Sequence, residues 1–253
     1  MLSAIIMTRL EHLGHFGLFS YQSITRLISG QANTRVTFTH IWRTVTRCIL
    51  PVLFTLFPVG VVIALQGNNI FEVYGAKRLL PSLIAFTMFR EITPVLAGAL
   101  VAAQAGSTNA AELGAMRTDE EIDATFVMAV DPITEHVTPR VAGTIFATPL
   151  LSLFGVIAGV LGGLSVSVLQ GQSPGLFFAS LWAMTSLFDI LSCVIKGFVF
   201  GLIIALQSTY YGFHASNGPA GVGRAVNRTV VAAITTVITA NFLLTSLMFG
   251  RVL

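Results

Sequence analysis

Four ionisable side chains interrupt runs that are otherwise apolar: Arg90, Glu91, Asp189 and Lys196. A charge near the centre of a bilayer costs at least roughly 2.5–3.5 kcal/mol, so such a group should face protein or water and find a partner. Arg90 and Glu91 are adjacent, diverge by about 100° on a helix and do not simply neutralise each other. Asp189 and Lys196 share a helix face but stand two turns apart, too far for direct contact. Pairs between helices are therefore expected: Glu91 with Lys196, and Arg90 with Asp189 or a head-group phosphate. Such a cluster can fix helix register, since buried ion pairs often serve specificity. It can equally line a cavity or gate through which an amphiphile moves, or carry an ion-driven secondary transporter or channel.

A second candidate is Leu65-Gln-Gly-Asn-Asn-Ile-Phe-Glu-Val-Tyr74. Here Gln66, Ile70 and Tyr74 recur at i, i+4 and i+8, with Phe71 beside them, mixing polar groups with apolar surface as an acyl chain with a polar head requires. Tyr74 as a plain interfacial anchor is the alternative. Chemistry of other kinds finds no footing. There is no Gly-x-x-x-x-Gly-Lys-Ser/Thr phosphate loop, no Gly-x-Ser-x-Gly elbow and no His-Glu-x-x-His. His12, His15, His40, His136 and His214 are scattered, with no Cys or carboxylate at metal-ligand spacing. His12 and His15 stand one turn apart but read as polar-face residues. No metal site and no covalent catalysis are expected.

The third candidate is the stretch from Ser107 to His136, which holds seven of the eleven acids: Glu112, Asp119, Glu120, Glu121, Asp123, Asp131 and Glu135. Asn109 with Glu112, and Thr118 with Glu121, have the spacing of capping boxes. Leu113, Met116 and Glu120 recur at helical spacing, as do Ile122 and Phe126. One short acidic amphipathic helix, or two abutting ones, is predicted. It serves either as a solvated connector or as a docking element for a soluble partner, since loops often carry function.

The elements that must position these residues are membrane spans. Of 253 residues, 54% are apolar and 10% charged, against roughly 25% charged in soluble domains. Mean hydropathy is +0.82. A soluble fold could not cover itself with so few charges, and a disordered chain would not carry so much apolar surface. An all-α polytopic membrane protein remains. The net charge of +3 is too small to argue for nucleic acid. Cys48 and Cys193 lie in apolar runs and imply no disulfide framework. Met1 to Ile6 is apolar but short, with no charged leader or clear cleavage site, and is not expected to be a cleaved signal.

Five stretches reach the roughly 20 residues that a span needs: about Cys48 to Gln66, Leu79 to Ala105, Val141 to Leu169, Leu187 to Leu206, and Thr229 to Phe249. Residues 1–46 are predicted as an amphipathic helix lying in the interface, with Arg9, Arg26 and Arg35 facing head groups. The rest, 47–253, forms the transmembrane region of a single domain over 1–253. Leu176 to Met184 is too short to span and is expected to be interfacial or re-entrant. With the N-terminus inside, the inner segments hold Arg9, Arg26, Arg35, Arg43, Arg47, Arg117, Arg140, Arg224 and Arg228; the outer ones hold only Lys77, Arg78 and Arg251. That asymmetry predicts a cytoplasmic N-terminus. Gly155, Gly159 and Gly163, and Gly197 with Gly201, stand four apart, allowing close approach of helices within the chain or across a dimer. Pro51, Pro58, Pro94 and Pro149 fall inside spans and can kink them.

Several blocks carry a resemblance: Phe89-Arg-Glu-Ile-Thr-Pro94, Ala105-Gly-Ser, Ala111-Glu-Leu-Gly-Ala-Met-Arg117, Glu120-Glu-Ile-Asp-Ala124, Met128-Ala-Val-Asp-Pro132, Pro139-Arg140, Cys193-Val-Ile-Lys196, Tyr211-Gly212, Gly218-Pro-Ala-Gly-Val-Gly223 and Leu244-Thr-Ser-Leu-Met-Phe-Gly250. In this order, over nearly the whole chain, they resemble the MlaE/YrbE permease family, the membrane subunits of ABC transporters that work with MCE proteins. The resemblance implies a lipid permease, with phospholipids the expected cargo, in the bacterial inner membrane. It implies a second permease protomer (identical or a paralogue), a cytoplasmic ABC ATPase that binds the ATP and Mg, an MCE-domain ring and a small STAS-type regulatory protein. It makes 107–136 a cytoplasmic coupling loop, with Glu112, Leu113, Gly114, Met116, Arg117, Glu120, Glu121 and Asp123 engaging the ATPase. It places Gln66, Ile70, Phe71, Tyr74, Arg90, Glu91, Lys196 and Asn241 at the lipid. Two positions depart from the family: Gln104, where members often have arginine, and Asn241, where some have aspartate, so the roles of those charges do not transfer.

Overall fold

The computed structural model describes residues 2–30 and 34–250; for residues 2–13 and Lys77 it describes the backbone alone. Arg9, His12, Lys77 and Arg251 therefore lie outside the described side chains. Among the described residues every regular element is helical. Helix α1 covers Leu2–Ile28 and α2 Thr34–Val73. After a short 3-10 turn, α3 (Leu80–Thr87), α4 (Thr93–Val101) and α5 (Ser107–Thr118) run on through two π-helical segments, Met88–Ile92 and Ala102–Gly106. The chain continues as α6 (Glu121–Val127), a third π segment (Ile133–Val137), α7 (Thr138–Leu169), α8 (Pro174–Met184), α9 (Leu187–Phe213) and α10 (Pro219–Phe249). Among the described residues five helical stretches are long and apolar enough to cross a membrane: Thr34–Val73, Leu80–Thr118, Ile133–Leu169, Leu187–Phe213 and Pro219–Phe249. They correspond in order to the five predicted spans. Helix α8, with 11 residues, is too short; it buries Phe177 and Leu181 against the bundle.

Helix α7 is the central strut, and its glycines explain why. A Cβ at Gly162 would sit 2.2 Å from the carbonyl oxygen of Phe57 on α2; one at Gly155 would meet Leu56 at 2.3 Å, and one at Gly163 would meet Ile84 at 2.7 Å. A Cβ at Gly197 on α9 would meet Pro149 Cα at 2.6 Å. Both glycine series thus serve packing within the chain, where close backbone approach replaces the hydrophobic drive that lipid removes. Gly162→Ala forces α2 and α7 apart and is expected to lower stability by about 3 kcal/mol, read as a lower melting temperature of the detergent-solubilised protein.

Several boundaries differ from the sequence reading. The interfacial segment breaks at Gly30, whose φ is +68°, and not near residue 46; α2 starts at Thr34 and runs straight into the first span. Helix α1 is docked, with Phe16 and Phe19 edge-on to Tyr210 of α9 at 5.1 and 5.6 Å. Arg26, expected to face head groups, pairs with Asp131 at 2.9 Å. The two expected capping boxes do not form. The π segment before Ser107 carries the helix through, so Asn109 is interior and donates to Thr144 Oγ1 at 3.2 Å. Thr118 donates back to Gly114 O, and α6 starts after Glu120 at φ 61° with no side-chain cap.

Candidate functional site

The four intramembrane charges form one network on α9, α10 and the π segment Met88–Ile92. Arg90 Nε donates to Asp189 Oδ1 at 2.7 Å, and its guanidinium lies 4.4 Å from the ring centres of both Phe86 and Phe249. Asp189 is held in turn by a reciprocal cap with Ser186 at the start of α9. Lys196 is fully buried; its Nζ donates to Thr245 Oγ1 at 2.7 Å and lies 3.4 Å from Glu91 Oε1. Thr245 Oγ1 in turn donates a hydrogen bond to Glu91 Oε1 at 2.8 Å, and Asn241 Nδ2 donates to Glu91 Oε2 at 2.9 Å. Both cross-helix pairs read from the sequence are therefore present.

The backbone explains the position of Lys196. Pro94 has no N–H to offer the carbonyl of Arg90 four residues back. Lys196 Nζ donates to that carbonyl. The π turn, the proline and the lysine thus satisfy one another in a setting where an orphan carbonyl is costly. At about 1.5 Å rise per residue, Glu91, Lys196 and Asn241 lie roughly 12–17 Å from the helix ends at Leu80, Leu187 and Phe249, near mid-bilayer. Glu91 keeps 39% of its side chain exposed while Lys196 keeps none. The Glu91–Lys196 pair therefore presents a carboxylate edge and hides its cation, whereas the Arg90–Asp189 pair buries its carboxylate and leaves Arg90 partly exposed. Asn241 Oδ1 is buried without a partner. Thr245 is the member that sequence reading missed; its signal was its place one turn beyond Asn241. Asp189→Asn removes the charge opposite Arg90 and weakens the Ser186 cap. A loss of about 3 kcal/mol is expected, measured by thermal unfolding in detergent.

The other predicted lipid contacts lie apart from this network. Gln66 and Ile70 are exposed on the last turns of α2, Tyr74 just follows it, and Phe71 packs against the core of α3 and α7. Phe71 shares that apolar cluster with Met88, Phe89 and Cys193, which adjoin the charged residues in sequence, whereas among the described residues Gln66 and Tyr74 make no hydrogen bond to Glu91, Lys196 or Asn241.

The acidic stretch lies at the opposite end of the bundle, roughly 40 Å along the helix from Glu91 at 1.5 Å per residue. Its first half is not a loop: α5 continues the second span. Leu113 is buried, and a Cβ at Gly114 would touch Val222 of α10 at 3.3 Å. Glu112 turns inward, 3.3 Å from Arg140 Nη2 and 3.7 Å from Arg47 Nη1. These three of the expected coupling residues are thus engaged by the chain itself. Met116 and Arg117 are half-buried, with Arg117 Nη1 2.5 Å from Asp123 Oδ1 across the turn. Glu120, Glu121 and Asp123 are exposed, beside a surface that sequence reading did not assign: Phe126, Val127 and Met128, with Val127 85% exposed. Ile122 is buried beneath them, and Thr125 bonds His136 at 3.1 Å, fixing α6 to the π segment Ile133–Val137 that closes the hairpin.

Residues 37–247 match the family model described as Permease MlaE. The chain belongs to the MlaE permease family. A probable ABC transporter permease protein of Rickettsia typhi is 32% identical over 240 residues, covering 94% of this chain and 93% of that protein. The intermembrane phospholipid transport system permease protein MlaE of Haemophilus influenzae is 32% identical over 204 residues, 80% of this chain and 78% of its own length. A chloroplastic Arabidopsis thaliana protein named trigalactosyldiacylglycerol 1 is 31% identical over 229 residues, 90% of this chain and 65% of its own. The matched region takes in the charge network and the whole acidic hairpin, so both sit within the part that makes this an MlaE permease.

Proposed function

We propose that this chain is the membrane subunit of an ABC transporter that moves phospholipids between membranes, driven by a separate cytoplasmic ATPase. The observation that carries the reading is the rigid hairpin at one end of the second span, whose tip combines Glu120, Glu121 and Asp123 with exposed Phe126, Val127 and Met128. A mixed acidic and apolar tip suits a groove in a soluble partner better than water. The helix behind it leads without a break in helical structure to Arg90 and Glu91. A push on the tip would therefore reach the charge network, and the network would open or close a cavity for the lipid.

ATP and Mg belong to the ATPase, and this chain carries out no covalent step. The nine-to-three arginine and lysine asymmetry supports a cytoplasmic N-terminus and hairpin, and the bacterial relatives support a bacterial inner membrane as the site of the chain. A second permease protomer would cover the exposed face of α10, which shows Val231, Ile238 and Phe242. Gln66, Ile70 and Tyr74 would then line the shared cavity on the far side, below an MCE ring, and a small STAS-type protein would attach at the cytoplasmic end. Purified complex in liposomes tests the reading: lipid transfer should require ATP hydrolysis and ignore an imposed proton or sodium gradient. Transfer driven by the gradient without nucleotide would instead make Glu91 and Lys196 the heart of a secondary transporter.

A further inference from the structure

One face of α2 carries a second amphiphile-shaped feature that the charge network does not use. Arg43, Arg47, Leu50, Phe54 and Phe57 follow one another at helical spacing and fall within an arc of about 80°. All five are exposed. At the amino-terminal end of this face, Arg43 and Arg47 line a shallow polar depression with His40, Thr44, Thr108 and Glu112. Cations outnumber anions there. Glu112 is shared between Arg140 at 3.3 Å and Arg47 at 3.7 Å, the latter too long for a hydrogen bond. Among the described residues Arg43 has no carboxylate within ion-pair distance. One turn farther along, Leu50, Phe54 and Phe57 join Ile157 and Leu161 of α7 around an apolar groove of about 380 Å3.

We propose that α2 and α7 form a binding site for an anionic phospholipid, separate from the transport network. Its phosphate would rest on Arg43 and Arg47 and one acyl chain would lie in the groove. Paired guanidinium groups suit a phosphate ester, and the groove runs along α2 as an acyl chain runs along the bilayer normal. The surplus positive charge selects an anionic head group over a zwitterionic one. Because Arg47 also leans on Glu112 at the base of α5, a phosphate that engages Arg47 leaves Glu112 to Arg140 alone, so occupancy is felt by the helix that leads to the hairpin.

Native mass spectrometry of the intact protein released from nanodiscs of mixed phosphatidylcholine and phosphatidylglycerol tests this without nucleotide or transport, so its failure leaves the transport reading standing. Wild type should retain phosphatidylglycerol over phosphatidylcholine by about tenfold. Arg43→Gln with Arg47→Gln should bring that preference close to parity. Arg224→Gln with Arg228→Gln, which removes the same charge from the exposed start of α10, should keep it. Phe54→Ala with Phe57→Ala should lower total retained lipid while preserving the preference. Excess glycerol 3-phosphate should leave the lipid bound, since it has nothing to fill the groove. No preference in wild type, equal loss in both arginine pairs, or displacement by glycerol 3-phosphate would each overturn the proposal; the last would make the depression a site for free phosphate esters.

Discussion

Lys196→Met is expected to abolish lipid transfer in reconstituted liposomes while the protein still inserts and assembles. The lysine is fully buried and serves Glu91, Thr245 and the Arg90 carbonyl together. Removing one partner of a buried pair strands the other, at a cost of about 3–5 kcal/mol. Glu91 is partly sheltered from that cost, because Thr245 and Asn241 still donate to it and part of it is exposed. The double variant Lys196→Met, Glu91→Gln separates structure from transport. It should recover much of the lost thermal stability, since no lone charge remains. Transfer should stay absent, since the charged edge offered to the lipid is gone. If transfer returned along with stability, the network would be a register lock and nothing more.

The second large effect is expected at the hairpin tip. Phe126→Asp with Val127→Asp places two charges where the largest exposed apolar surface of the hairpin stands. Neither side chain is buried, so the membrane fold should be unchanged and the purified permease should elute as before. Anchors of this kind each contribute about 2 kcal/mol or more to an interface, so affinity for the ATPase should fall at least about thirtyfold and the ATPase should no longer copurify. Glu112→Gln, by contrast, should act through stability, because its carboxylate meets Arg140 and Arg47 of the same chain. An ATPase lost on Glu112→Gln but kept on the tip variant would reverse the assignment of the docking surface.

The charge pairs were legible in the sequence because lipid leaves so few choices. With two cations and two anions in the spans, adjacency ruled out one pairing and a two-turn gap ruled out another. The glycines were legible for a similar reason, since close approach is their main use in a span. What escaped depended on where the helices stop. Asn109 with Glu112 and Thr118 with Glu121 have capping spacing, yet the π segment Ala102–Gly106 carries the helix past the first pair. The sequence has no simple mark for a π turn, although Pro94 and Pro139 each follow one closely. The burial of some expected coupling residues escaped for the same reason. Once α5 is seen as part of the second span, Leu113 and Gly114 become core, and the exposed tip moves to Phe126, Val127 and Met128. Ser186 with Asp189 was a readable capping pair, obscured because Asp189 was weighed only as a charge in lipid.

In the proposed mechanism the hairpin faces the cytosol and is gripped there by an ATPase. Cys48 and Cys193 are both buried, so a cysteine introduced at Val127 reports alone. The account predicts that Val127→Cys, in inverted inner-membrane vesicles, reacts with a membrane-impermeant maleimide when the ATPase has been stripped away. It predicts protection, and a crosslink to the ATPase, when the complex is intact. Labelling only in right-side-out cells, or equal labelling with and without the ATPase, would contradict it.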